Sequence, residues 1–198
     1  MVRYGELEVL MIIQTHYFDT AGKHNTDPTL DMVKVWSEKL NINEIVVAST
    51  SGETGLKAVE IFGPERVIVV SHSTGFKKEG EQELSDEMRK KIENQGTTVL
   101  TCQHALAGVS RAIRYQLHTY EVDEIIANVL RIFGQGMKVA VEIALMAADA
   151  GLISTNQDVI SVGGTIRGAD TAIVLKPSNV CRFFDLAVKG VLCKPWEI

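Results

Sequence analysis

Short apolar runs alternate along the chain with polar segments of helical periodicity. Seven runs rich in Val, Ile and Leu predict strands, at residues 9–14, 45–48, 66–71, 97–101, 159–162, 171–175 and 186–192. Apolar residues at helical spacing predict helices over residues 27–40, 52–62, 81–95, 122–133 and 137–150, with a short helix within residues 102–120. Because strands and helices alternate, we expect an α/β fold with a mostly parallel five-stranded central sheet and small additions at the two chain ends.

Two helix boundaries carry specific signals. Asp27 followed by Pro28 is typical of a helix start, because proline tolerates the first turn and an Asp side chain caps free amides. Gly63 followed by Pro64 is typical of a helix end. The segment between them therefore contains a helix, the strand at residues 45–48 and a second helix.

The turn after the strand at residues 45–48 has the composition of an anion site. Its sequence, Ser-Thr-Ser-Gly-Glu-Thr at residues 49–54, offers hydroxyl groups and unhindered backbone amides. The helix that starts near Gly52 adds free N–H groups and a partial positive charge, which together suit a phosphate. The alternative is that Ser51 or Thr54 only caps the helix. The stretch alone leaves both interpretations open.

Composition and charge limit the classes of function. The 198 residues are 45% hydrophobic and 23% charged, which predicts one globular domain over residues 1–198. A net charge of -5 argues against a general binder of nucleic acid or anionic membranes. Three cysteines without C-x-x-C spacing favour a reducing cytoplasm over a disulfide framework. The start does not read as a signal peptide, and the most apolar stretch, residues 139–148, contains Glu142 and is too short for a membrane span.

Standard nucleotide and metal motifs are absent from the sequence. Gly163 and Gly168 have P-loop spacing, but Ala169 and Asp170 stand where Lys and Ser or Thr belong. The five histidines show no metal-ligand spacing, so we predict no metal site. Cys102 and His104 lie two residues apart without a neighbouring carboxylate, which does not favour a catalytic thiol.

The predicted strand ends are a stronger signal. Ligands of an open parallel sheet bind beyond the carboxyl ends of its strands. Four such ends are rich in Gly, Ser and Thr, at residues 49–54, 71–75, 101–110 and 163–170. We therefore expect a binding site where these four segments meet.

The sequence also resembles a known family. Ile-Val-Val-Ala-Ser-Thr-Ser-Gly-Glu-Thr is similar to the strand, loop and helix of the C-terminal α/β domain of pyruvate kinase, whose loop receives the phosphate of a sugar bisphosphate effector. The loop role would fall on Ser49, Ser51, Gly52 and Thr54. Further motifs resemble a stand-alone archaeal and bacterial family of such domains: they lie at residues 24–26, 47–54, 75–77, 133–136, 147–151 and 163–171.

The resemblance implies a three-layer α/β domain with a mixed sheet and without the active site of pyruvate kinase. It also implies a bound flavin mononucleotide (FMN), for which the family has no assigned reaction. Glu53 departs from the pattern, because the kinase domain often has a basic residue there. This departure argues against a second phosphate and suits a ligand with one.

These observations lead to the hypothesis of an FMN-binding protein, with flavin-dependent oxidoreductase activity left open. The predicted FMN-binding residues are Ser49, Thr50, Ser51, Gly52, Glu53, Thr54, His72, Gly75, Phe76, Gly163, Gly164, Thr165, Gly168 and Asp170. We expect the flavin ring to pack against an aromatic residue such as Phe76 or Tyr17.

Two alternatives accompany this hypothesis. One is a sensor of a phosphorylated metabolite that acts through a partner. The other is a hydrolase or isomerase that uses His72, Glu142 or Asp170. The apolar segment at residues 137–150 and the pair Phe183 and Phe184 also predict a homo-oligomer.

Overall fold

The computed structural model describes residues 12–197 and contains one sheet flanked by helices. The strands are β1 (His16–Phe18), β2 (Ile45–Ala48), β3 (Val67–Val70), β4 (Thr98–Leu100), β5 (Val159–Gly163), β6 (Thr171–Lys176) and β7 (Ala187–Pro195). The α-helices are α1 (Thr26–Leu40), α2 (Glu53–Phe62), α3 (Asp86–Glu93), α4 (Val109–Leu117), α5 (Val122–Arg131) and α6 (Gln135–Asp149). Two 3-10 helices, Lys23–Asn25 and Val180–Asp185, complete the described elements.

The sheet has seven strands in the order β1-β7-β6-β5-β2-β3-β4. Strand β6 is antiparallel to both its neighbours, and the other pairs are parallel. The α/β class is confirmed, whereas a central sheet of only five strands is wrong. The prediction treated the terminal strands as additions, but β1 and β7 pair with the other strands and continue the same sheet.

The central strands are apolar on both faces because helices cover both faces. Val47 pairs in register with Val69 of β3 and Val162 of β5. Val47 belongs to a core cluster shared with α1 and α2, whereas its neighbour Val46 belongs to a cluster shared with α6. The sheet thus forms the middle of three layers, with α1 and α2 on one side and α6 on the other.

Helix α6 is buried almost all round. Ala140, Ala144 and Leu145 have no exposed surface, and the helix packs against β2, β5, β6 and α5. Its apolar character is therefore explained within one chain, without a subunit contact. The prediction of self-association then rests on Phe184, which is 92% exposed.

One helix end agrees with the sequence signals, and two differ. Helix α2 ends at Gly63 as predicted. Asp27 is not the cap of α1, because the N-cap is Asn25 and the helix begins at Thr26, which puts Asp27 and Pro28 inside its first turn. The helix predicted over residues 81–95 is shorter, because Ser85 is its N-cap and accepts a hydrogen bond from the N–H of Met88.

The predicted first strand is displaced. Residues 9–11 of that prediction lie outside the described residues, and residues 12–14 form no strand. The strand forms at His16–Phe18, where Tyr17 pairs in register with Lys194 of β7. Within residues 12–197, no helix combines the length and apolar character that crossing a membrane requires.

The contact between α6 and the sheet can be tested with a core truncation. Leu145→Ala is expected to lower the free energy of unfolding by about 2–5 kcal/mol, because it leaves a cavity in a fully buried site. Leu117→Ala is the matched control, since Leu117 is 66% exposed and its truncation is expected to change stability by less than about 0.5 kcal/mol. Urea unfolding of both variants measures the difference, and equal losses would contradict this packing.

Candidate functional site

A cleft of about 460 Å³ lies at the carboxyl edge of the parallel strands. Residues that follow β2, β3 and β5 line it, together with the segment after β4 and side chains from α4, α5 and α6. Cleft volumes of about 300–1,000 Å³ are typical of small-molecule sites. The strand ends that the sequence singled out therefore do meet in one place.

The loop at residues 49–54 forms one wall of the cleft. Gly52 has φ of +92°, and a Cβ there would lie 2.2 Å from Cγ of Met88, so both the backbone and the packing require glycine. The hydroxyl of Ser49 accepts a hydrogen bond from the N–H of Gly55 at 3.0 Å. The helix is therefore held by Ser49, and the capping alternative that named Ser51 or Thr54 is wrong.

This arrangement leaves donors available to a ligand. The hydroxyls of Ser51 and Thr54 line the cleft and form no hydrogen bond within residues 12–197. The first intrahelical acceptor is the carbonyl of Gly52, which takes the N–H of Leu56. The N–H groups of Glu53 and Thr54 are consequently without acceptors in the described part of the chain.

A second wall of the cleft is basic. Arg111 and Arg114 of α4, Arg131 of α5 and Lys138 of α6 line the cleft, and Arg167 lies in the loop after β5. Arg114 donates to Oε1 of Glu124 at 2.8 Å. The cleft lining contains these five basic side chains and two carboxylates, those of Glu124 and Glu142. The net charge of the lining is therefore positive, although the net charge of the protein is -5.

Sequence reasoning did not assign these cations to the site. A weak signal exists, because Arg111 and Arg114 are three residues apart and Lys138 and Glu142 are four apart, so each pair shares a helix face. Arg131 donates to the amide oxygens of Asn128 and Gln135, neither of which neutralises its charge.

A buried charge cluster lies beneath the basic wall. The carboxylate of Glu142 accepts from Nζ of Lys138, from Nδ1 of His104 at 3.3 Å and from the N–H of Leu106 at 3.0 Å. Burial raises the pKa of Glu142, but His104 and Lys138 outweigh it and lower that pKa to about 2. Burial lowers the pKa of Lys138, and Glu142 works against that shift. The carboxylate of Glu142 therefore has its hydrogen bonds satisfied by residues of the fold.

Planar side chains form another part of the lining. The ring of Phe76 stacks on His104 with centroids 4.6 Å apart, and the guanidinium of Arg111 lies 4.3 Å from the Phe76 centroid. Tyr17 packs edge-on against Trp196 instead and does not line the cleft. The apolar lining comes from other residues, which are Ala48, Val70, Leu106, Ala107, Val139, Ile143 and Met146.

Most of the predicted site residues line the cleft. These are Ser49, Thr50, Ser51, Thr54, His72, Phe76, Gly164, Thr165 and Gly168. Glu53 and Gly75 do not, and Glu53 forms an exposed ion pair with Lys23. Lys23 lowers the pKa of Glu53 through this contact.

Three other predicted residues hold the fold around the cleft. Gly52 packs against α3, as described above, and Gly163 lets β5 approach α6, since a Cβ there would lie 2.4 Å from the carbonyl oxygen of Gly136. Asp170 is fully buried, and its Oδ2 accepts from the N–H groups of Gly22 and Thr165, each at 3.1 Å. Asp170 therefore joins the loop after β5 to the start of α1.

The structure does not favour a catalytic thiol at Cys102, and it brings no set of metal ligands together within residues 12–197. Burial raises the pKa of Cys102, which leaves the thiol protonated, and His104 is bonded to Glu142. In this part of the chain no three His, Cys, Asp or Glu side chains converge as a metal site would require.

The sequence also matches a known protein family. Residues 29–175, about three quarters of the chain, match the family described as pyruvate kinase, alpha/beta domain. The matched region runs from α1 to β6 and contains the loop at residues 49–54 together with the basic wall.

The buried cluster predicts a specific dependence of stability on pH. The lowered pKa of Glu142 means that its ionised form stabilises the folded state above pH 4.5, and that this contribution is lost as pH falls towards about 2. The shift corresponds to a free energy of unfolding on the order of 3 kcal/mol. Urea unfolding of the wild type between pH 5 and pH 2 should show the loss, and Glu142→Gln should lack that part of it.

The control is Glu60→Gln, which changes an exposed carboxylate of α2. It should keep the dependence of the wild type. Identical pH profiles for the wild type and Glu142→Gln would show that the cluster does not stabilise the fold through an ionised Glu142.

Proposed function

Because the chain belongs to the family of pyruvate kinase alpha/beta domains, we propose that its cleft binds a phosphate-bearing planar small molecule, FMN, with the phosphate at residues 49–54. The observation that carries the proposal is the set of free donors at one end of the cleft. Ser51, Thr54 and the first amides of α2 have no acceptor within residues 12–197. Donors of this kind suit a phosphate dianion.

The remaining lining fits the other parts of FMN. The apolar side chains of Val139, Ile143 and Met146 offer a surface for the ring system. Oε2 of Glu124 is buried without a donor in the described part of the chain, so a hydroxyl of the ribityl chain would find an acceptor there. A bound FMN supplies electron transfer, while the residues of this chain bind and orient it.

The sensor of a phosphorylated metabolite is the second candidate. The observation that favours it is the number of cations, since Arg111, Arg131 and Arg167 have no carboxylate partner at hydrogen-bond distance within residues 12–197. One phosphate does not need three guanidinium groups, whereas a metabolite with several anionic groups would use them. Thermal unfolding with FMN and with a panel of sugar phosphates separates the two candidates, because only the true ligand class should raise the midpoint.

The FMN proposal predicts a defect confined to phosphate recognition. Ser51→Ala combined with Thr54→Ala is expected to weaken FMN binding by about 100-fold or more, since the variant loses two hydrogen bonds to a charged group that contribute about 1.5–3 kcal/mol each. Riboflavin, which lacks the phosphate, should bind the double variant and the wild type equally. Quenching of flavin fluorescence measures all four dissociation constants.

The matched control is Ser154→Ala combined with Thr155→Ala. These residues precede the amino end of β5, at the edge of the sheet opposite the cleft. The control should leave FMN affinity unchanged. An unchanged FMN affinity in the Ser51 and Thr54 variant would contradict the proposed phosphate site.

A further inference from the structure

His72 occupies a position in the cleft that differs from that of the other imidazole there. It follows β3 by two residues, at the carboxyl edge of the sheet, and its side chain is 33% exposed. Its ring packs against Phe76 with centroids 4.2 Å apart. The ring therefore forms part of the cleft wall and remains accessible to a ligand.

One nitrogen of this ring is held by a carboxylate. Nδ1 of His72 lies 2.7 Å from Oε2 of Glu83, whose side chain is only 20% exposed. An ionised carboxylate only accepts hydrogen bonds, so the bond assigns the proton of the neutral ring to Nδ1. The side chain of Gln82, the residue before Glu83, donates to the carbonyl oxygen of His72 at 2.9 Å. The segment that holds the His72 ring therefore also holds the His72 backbone.

The other nitrogen is free. No hydrogen bond within residues 12–197 uses Nε2 of His72, so the lone pair of the neutral ring is available at the cleft. His104, whose centroid is 5.4 Å away, also faces a carboxylate, that of Glu142. However, its Nε2 accepts from the N–H of Ser73 at 3.4 Å, and its side chain is 10% exposed. His72 therefore keeps a ring nitrogen that can accept a proton from a ligand, whereas His104 does not.

The surroundings keep His72 neutral near neutral pH. Burial lowers the pKa of His72. The carboxylates of Glu83 and Glu142 oppose the shift. A neutral imidazole with one oriented N–H and one open lone pair is the form that accepts a proton.

We propose that His72 is a proton-transfer residue of the cleft, which accepts a proton through Nε2 from an O–H or N–H group of the bound ligand, and that Glu83 is its positioning residue. The ligand group loses the proton and keeps its electron pair. The imidazole becomes an imidazolium that retains Nδ1–H towards Glu83, and the proton returns when the ligand leaves. This inference rests on the proposed function, because it assigns acid–base chemistry to the same cleft.

The first test follows the protonation of the His72 ring during FMN binding. At about pH 7.5, the ring nitrogen chemical shifts should show one protonated nitrogen in the free protein and two in the FMN complex, because the proton that the ligand loses moves to Nε2. His72→Gln should weaken FMN binding by about 10-fold, the loss expected for one hydrogen bond to a charged group. His16→Gln is the control, because His16 is exposed on β1 away from the cleft, and it should match the wild type.

The second test needs no ligand. Nitrogen chemical shifts of the His72 ring in the free protein should report the Nδ1–H tautomer, and Glu83→Gln should reduce its population. An Nε2–H tautomer in the free wild type would overturn the proposal, and so would a His72 ring that stays neutral in the FMN complex. If FMN does not bind, the proposed function fails and the tautomer alone decides the role of His72.

Discussion

The cleft depends on the hydrogen bonds that the buried carboxylate of Glu142 accepts. This carboxylate joins α6 to the segment after β4, because it accepts hydrogen bonds from Lys138 of α6 and from His104 and Leu106. His104 in turn stacks on Phe76, which contacts Arg111. A buried charge left without its partner costs about 3–5 kcal/mol, so the loss of Glu142 would leave Lys138 as an isolated buried cation. One carboxylate thereby orders two walls of the cleft.

The sheet fixes where these walls meet. Strands β2, β3, β4 and β5 are parallel, so the segments after them emerge at the same edge. Strand β6 is the exception, since it returns antiparallel beside β5, and the loop between the two strands folds over the cleft edge. Asp170 holds that loop to the start of α1. The cleft is therefore built on the central strands of the sheet.

Local patterns predicted what depends on local chemistry. The segment from β2 to β3 was predictable because β-branched runs, a small-residue turn and Gly63 each act within a few residues. The position of β7 beside β1 and the antiparallel course of β6 were not, because strand order depends on contacts between distant residues. The contact between Glu142 and His104 was hidden for the same reason, since the two residues are 38 apart in the sequence.

Asp170 and Ser49 show a further limit of sequence reasoning. Both lie in small-residue segments at strand ends, where a polar side chain suits a ligand and the backbone equally well. The structure uses Asp170 for the N–H groups of Gly22 and Thr165, and Ser49 for that of Gly55. Ser51 and Thr54, in the same loop, form no side-chain hydrogen bond with any residue between 12 and 197. Only the three-dimensional arrangement distinguishes a side chain that holds the loop from one that a ligand can use.

The energetics of association explain why both ends of the cleft matter. Binding costs on the order of 4–15 kcal/mol of translational and rotational freedom. Two or three hydrogen bonds to a phosphate, at about 1.5–3 kcal/mol each, offset only part of that cost. Apolar contact with Val139, Ile143 and Met146 adds about 25 cal/mol for each Å² removed from water. A phosphate ion alone would therefore bind weakly, and a ligand that spans from residues 49–54 to α6 would be selected by the spacing between them.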